Sequence, residues 1–175
     1  YNVIEAIKKV SPCIERLIID VIDSFNDNGR LFYIGSGTSG RLGVLDASEC
    51  PPTFGVDSSM VQGLIAGGNK AVFKSIEGAE DSDESGAEDI LNKSVTSKDC
   101  VIGISASGTT PYVHGALRKA YEMGAKTALI QNNSNKHKKY IHHYIDVIVG
   151  PEIISGSTRM KAGTATKIIL NMIST

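Results

Sequence analysis

Cysteine is scarce in this chain. Cys13, Cys50 and Cys100 are odd in number, lie far apart and form no CxxC pair, which argues against a disulfide framework or a zinc site. An excess of one charge is missing as well. Lys and Arg total 18 against 19 Asp and Glu, for a net charge of −1, so no global field recruits nucleic acid or an anionic membrane. Any anion must be caught by a local site. No apolar run approaches the roughly 18 residues of a membrane span, and the first residues show no basic-then-apolar signal pattern. A reduced, cytoplasmic setting fits these absences. What remains is a chain of 175 residues, 41% hydrophobic and 21% charged, which is enough for one well-buried core and too short for two full-sized domains. A single domain over 1–175 is expected. Tyr1 opens inside a helical pattern and IILNMIST stops inside another, so the chain is expected to be part of a longer protein.

Val3, Ile7, Val10, Ile14, Leu17 and Val21 recur at steps of four and three, an apolar stripe suited to helices that pack on a sheet or a partner. Pro12 interrupts the stripe. Because proline costs a helix interior about 3 kcal/mol but suits a first helical position, the pattern predicts two helices within 1–28, the second capped by Ser11. Beyond them, apolar runs at Leu31–Gly35, Val61–Ala66, Cys100–Ser105, Thr127–Gln131 and Ile145–Val149 alternate with segments that can hold helices. Five strands with helical crossovers mean an α/β three-layer sandwich around a five-stranded parallel sheet, and the common doubly wound order is 2-1-3-4-5. In that order the switch point lies between the first and third strands. The loops leaving those two strands, Gly35–Arg41 and Ser105–Thr110, are rich in Gly, Ser and Thr, and open α/β sheets bind ligands at the switch point.

In GSGTSGR, Gly37 and its neighbours allow a tight turn, the hydroxyls of Ser36, Thr38 and Ser39 add donors, and the following helix points its positive end at the site. The turn is a phosphate cradle without a lysine. Gly35, Gly37 and Gly40 also spell GxGxxG, yet strand two ends in LIAGG, without the acid a dinucleotide ribose requires. SASGTTP repeats the chemistry with Ser105, Ser107, Gly108 and Thr110, and Pro111 suits the first turn of the next helix. Such residues also cap helices that bind nothing, but two sets at one switch point favour a ligand. A third segment, SGSTRMK, is either a surface cap with incidental cations or a loop whose Ser155, Arg159 and Lys161 complete the site. Candidate acid/base groups are carboxylates: Glu49 beside Asp46 in DASECPP, whose prolines should stop the helix, and Glu80 in EGAED. Asp81, Asp83, Ser85 and Gly86 match the start of a calcium loop, but Asn92 stands where its closing Glu is needed. His137, His142 and His143 lack metal-ligand spacing and read as solvated surface. No metal or cofactor is expected.

IGSGTSGRLGVLDASECPPTFG (Ile34–Gly55), LIAGG (Leu64–Gly68), EGAED (Glu77–Asp81), SASGTTPYV (Ser105–Val113) and GPEIISGSTRMKAGTATKIILNM (Gly150–Met172) resemble the N-acetylmuramic acid 6-phosphate etherases of the sugar isomerase (SIS) superfamily. The likeness runs in order from about Gly29 to the end. It implies a flavodoxin-like SIS fold with a sugar-phosphate-binding core over 29–175, and a homodimer with its active site at or near the subunit interface. It also implies a metal-free lyase reaction that cleaves the C3 D-lactyl ether by elimination and water addition. Glu49 and Glu80 match the family's acid/base pair; Ser36, Thr38, Ser39, Ser105, Ser107 and Thr110 match its substrate contacts. Thr109 departs from the motif, which commonly carries Arg there, and the etherases are longer at both ends. Two other resemblances share these loops: the non-catalytic glucokinase regulatory protein, which does not keep the DASEC glutamate, and the aldose–ketose isomerases, which lack the extended DASECPP match.

Overall fold

The computed structural model describes residues 2–175; Tyr1, read above as opening inside a helix, lies outside them. The chain begins with a 25-residue helix, α1 (Asn2–Asn26). Alternating strands and helices follow: β1 (Leu31–Gly35), α2 (Gly37–Phe54), β2 (Val61–Ile65), α3 (Asn69–Phe73), a 3₁₀ turn (Ala79–Asp81), α4 (Asp83–Asn92), β3 (Cys100–Ile104), α5 (Pro111–Glu122), β4 (Lys126–Gln131), β5 (His143–Asp146) and α6 (Lys161–Ser174).

The sheet has the order β2-β1-β3-β4-β5 and every pairing is parallel, with Leu31 opposite Val61 on one side and Cys100 on the other. Strands covered on both faces read as continuous apolar runs, and every residue of LFYIG and CVIGI is buried. Their side chains alternate between two cores. Leu31, Tyr33, Ile102, Ile104 and Ile130 face α1, α2 and α6. Phe32, Ile34, Val101 and Leu129 face α4 and α5. The result is the three-layer sandwich expected, with the order reversing between β1 and β3.

Four expectations about local structure are corrected. Pro12 does not divide the first helix: α1 runs through it, and Ser11, expected as a cap, donates its hydroxyl back to Ile7 O at 3.2 Å. The apolar stripe is continuous across the proline, with Ile7, Ile14, Leu17 and Val21 all buried, and their packing outweighs a cost of about 3 kcal/mol. Pro51 and Pro52 likewise lie inside α2, which ends at Gly55 in the left-handed conformation, its N–H returning to Pro51 O. His143 is not solvated surface, whereas His142 stays exposed although its ring is hydrogen-bonded. Thr127 N donates to His142 Nδ1 at 3.1 Å, and His143 Nε2 meets Asp20 Oδ2 at 2.7 Å, tying α1 to β5. His137 does stay exposed, stacked on Tyr144 at 3.8 Å between ring centres. The fifth strand also sits two residues earlier than the apolar run suggested, because pairing with β4 starts at His143 opposite Ala128.

Candidate functional site

The switch point places the carboxyl ends of β1 and β3 side by side, and each strand delivers its Gly/Ser/Thr turn to the same edge. An open polar hollow of about 350 Å³ lies there. It is lined by Ser36, Gly37, Thr38 and Ser39 from the first turn, Ser105, Ala106, Ser107 and Thr110 from the second, Glu80 from the 3₁₀ turn, and Gly156 and Thr158 from the loop before α6. None of these lining residues is cationic.

Close approach at the first turn depends on glycine. A Cβ on Gly40 would stand 2.7 Å from Gly35 O and 2.6 Å from Ile65 Cγ1, so α2 can start against the end of β1 only because both positions lack side chains. Gly37 opens the helix at φ +51°, which favours glycine. The first amides of a helix have no internal partner and need one from outside. At α4 Ser82 supplies it, accepting from Ser85 N at 3.1 Å. At α6 Glu152 accepts from Lys161 N at 3.1 Å and from Ala162 N at 2.9 Å. At α2 the capping residue, Ser36, makes no side-chain cap bond; its hydroxyl instead donates to Glu80 Oε2 at 3.1 Å. The positive end of an 18-residue helix is thus left uncapped, facing a hollow lined with hydroxyls.

The second turn is held by its own hydroxyls. Ser105, buried, meets Thr110 Oγ1 at 2.7 Å and Ser107 Oγ at 3.3 Å, and its Oγ accepts from Gly108 N at 3.0 Å. Thr109 donates its N–H and its hydroxyl to Ser107 Oγ, at 3.2 and 3.1 Å. From behind, Asn135 Nδ2 donates to Ser107 O at 2.8 Å and His114 Nε2 meets Gly108 O at 2.9 Å. The carbonyls of the turn are therefore tied to the far side, toward β4 and α5.

The remaining candidates divide. Ser155 lines an adjoining hollow of about 310 Å³ that shares Ala106, Gly156 and Thr158 with the first. Gly108 lines a different, larger cavity of about 460 Å³, together with Thr109, His114 and Arg118. Arg159 is exposed and is not among the residues lining the hollow, and Lys161 is half-buried at the start of α6. Glu49 is the main departure. It is exposed on α2, and at about 1.5 Å of rise per residue the run from Gly37 carries it roughly 18 Å down the helix from the hollow. Within one protomer Glu49 does not reach the turns. Its neighbour Asp46 is buried beside Tyr33 and Asn171, and burial raises its carboxyl above the usual value against the opposing pull of Ser174, Tyr33 and Lys167. Sequence reading missed Thr158 and Gly156 in the wall and Glu152 as the anchor of their loop. The signal for Glu152 was an acid placed shortly before a helix.

The molecule is a doubly wound α/β domain whose uncapped helix and hydroxyl-rich turns meet at the switch point. The family model described as glucokinase regulatory protein N-terminal SIS domain matches residues 13–121, and the chain belongs to this SIS-domain family. It is 57% identical to the N-acetylmuramic acid 6-phosphate etherase of Oceanobacillus iheyensis, over 100% of this chain and 60% of the relative. To the enzyme of the same name from Caldanaerobacter subterraneus subsp. tengcongensis it is 56% identical, over 97% of this chain and 56% of the relative. The chain thus spans less than two thirds of the length of these relatives. Among solved structures, a phosphoheptose isomerase from Neisseria gonorrhoeae superposes with a TM-score of 0.68 at 14% identity, covering 97% of this chain and 87% of that one. The Vibrio vulnificus NanR protein complexed with ManNAc-6P gives 0.62 at 12% identity, covering 99% and 58%. These two likenesses concern the fold.

Proposed function

We propose that this chain is the sugar-phosphate-binding SIS domain of an N-acetylmuramic acid 6-phosphate etherase, which converts that substrate and water to N-acetylglucosamine 6-phosphate and D-lactate. The observation that carries the reading is the uncapped start of α2: its amides share one hollow with the hydroxyls of both turns and with a carboxylate, Glu80. Backbone N–H groups and hydroxyls suit a phosphate held by hydrogen bonds and a helix dipole, without a lysine.

The chemistry follows from the substrate. Opening the sugar exposes an aldehyde that acidifies the C2 proton. A carboxylate removes this proton, the C3–O bond breaks with departure of D-lactate, and water adds across the double bond to restore the C3 hydroxyl. One or two carboxylates that cycle protons are sufficient, each contributing about 10²–10⁴-fold. This role is assigned to Glu80, supported by its place in the wall of the hollow and its hydrogen bond from Ser36 in the first turn. Glu49, exposed on α2, is assigned the second role across a proposed homodimer, in the hollow of the partner subunit. No helix among the described residues is long and apolar enough to cross a membrane, and a cytoplasmic enzyme is proposed.

The test is incubation with N-acetylmuramic acid 6-phosphate in H₂¹⁸O. D-lactate should appear with label at C3 of the sugar product; lactate without that label contradicts elimination and addition. A second reading, a non-catalytic sugar-phosphate sensor, is favoured by two observations: the matching family model is that of a regulatory protein, and Glu49 lies outside the hollow. Binding of N-acetylglucosamine 6-phosphate without any lactate release would select the sensor.

A further inference from the structure

The proposed substrate carries two anions, a phosphate and the carboxylate of its C3 ether substituent, yet the hollow that would take the phosphate has no cation in its wall. Thr109, where a guanidinium is common in the matching motif, spends its N–H and hydroxyl on Ser107. A cation does stand one wall further on. Behind Ser36 and Glu80 a second chamber of about 200 Å³ opens, sharing Ser36, Gly37 and Glu80 with the hollow and lined beyond them by Arg41.

Arg41 is half-buried, and its side chain is anchored by one nitrogen, Nε donating to Val72 O at 2.9 Å. Anchoring through Nε holds the guanidinium plane and leaves the two terminal nitrogens as a fork, a geometry matched to the two oxygens of a carboxylate. Glu77 and Glu80 line the same chamber, but among the described residues neither closes an ion pair with Arg41. The chamber is therefore no general anion trap. Two acidic walls oppose an anion everywhere except at the fork, where paired charge-assisted hydrogen bonds can hold it.

We propose that Arg41 receives the carboxylate of the C3 ether substituent, so that the two chambers divide the substrate between them, with phosphate on the turns and lactyl group on the guanidinium. The inference rests on the etherase reading and deepens it. Glu80, common to both chambers, then stands beside the carbons that lie between the two anions, where the proton is taken and the ether oxygen leaves. Arg41 sets specificity in this arrangement by distinguishing an ether-bearing sugar phosphate from the same sugar with a free C3 hydroxyl.

Calorimetric dissociation constants test this in a Glu80→Gln background, which removes the proposed acid/base group so that substrate can be titrated intact. Arg41→Gln should weaken N-acetylmuramic acid 6-phosphate about 10–100-fold, the loss of a pair of charge-assisted hydrogen bonds, and leave N-acetylglucosamine 6-phosphate within about twofold. Arg41→Lys should fall between, since a point charge cannot make the paired contact. Equal losses for both ligands would show that Arg41 only supports the segment around Val72, and an unchanged pair of constants would remove it from recognition; either result overturns the proposal, while binding of both ligands by the parent protein would still support the etherase reading. If the parent protein binds neither ligand, the etherase reading itself fails and this inference falls with it.

Discussion

Asp99 is buried at the sheet's amino-terminal edge and accepts from Arg30 N at 2.8 Å, Arg30 Nη2 at 2.8 Å and Thr96 N at 2.7 Å. Burial alone would raise its carboxyl, but the bonds from Arg30 and Thr96 outweigh it and hold the group below the ordinary value. A carboxylate held low contributes stability that is present above its unfolded pKa, near 3.9, and lost as pH falls through its lower folded value. Asp99→Asn should therefore cost about 2–4 kcal/mol at pH 7 and flatten the acid limb of a plot of melting temperature against pH. Asp46 behaves in the opposite sense. Its Oδ2 and the Tyr33 hydroxyl are both buried and close no hydrogen bond, and its raised pKa means that the native state binds a proton more tightly than the unfolded chain. Stability from this group rises as pH falls through its raised folded pKa toward the unfolded value near 3.9, so Asp46→Asn should raise the melting temperature at pH 7 and remove that part of the slope. At the site, Glu80→Gln should lower turnover about 10²–10⁴-fold while sugar-phosphate affinity is largely kept, as measured by lactate release and calorimetry.

Among the elements, α2 decides whether the site exists. Its start against β1 requires the bare Gly35–Gly40 contact, so Gly40→Ala, with a new Cβ 2.7 Å from a carbonyl oxygen, should both destabilise the fold and displace the amides from the hollow. Thermal melts and ligand titration together would register both effects. The strands were legible in the sequence because a parallel strand buried on both faces must be apolar throughout, as LFYIG and CVIGI are. The two turns were legible because glycine and hydroxyl residues cluster directly after two of those runs. The prolines misled for the same physical reason in each case. A local penalty of about 3 kcal/mol marks a boundary only where tertiary packing does not exceed it. α1 packs a stripe of buried residues on both sides of Pro12, and α2 carries buried Asp46, Ala47 and Cys50 up to Pro51. Glu49 shows the other limit. Sequence spacing places it on the helix that starts at the hollow, and the length of that helix carries it away again.

For the whole molecule, the order β2-β1-β3-β4-β5 brings two turns separated by about seventy residues of sequence to one edge, and this is what allows the proposed local anion site in a chain with net charge −1. The proposed dimer adds a constraint. If Glu49 serves the partner subunit while Glu80 serves its own, then Glu49→Gln and Glu80→Gln proteins, each inactive alone, should regain up to about a quarter of parental activity when mixed and allowed to exchange, because half the dimers would hold one intact site. No recovery despite demonstrated exchange would place both carboxylates in the same subunit's site or remove Glu49 from the reaction. The central claim, however, concerns the phosphate, and it is tested by titrating N-acetylglucosamine 6-phosphate and N-acetylglucosamine against the parent, Thr38→Ala and Ser107→Ala. The account predicts that the parent binds the phosphorylated sugar far more tightly and that each substitution, one per turn, weakens that ligand about 5–10-fold. An unchanged affinity in either variant would mean that the two turns do not grip one phosphate.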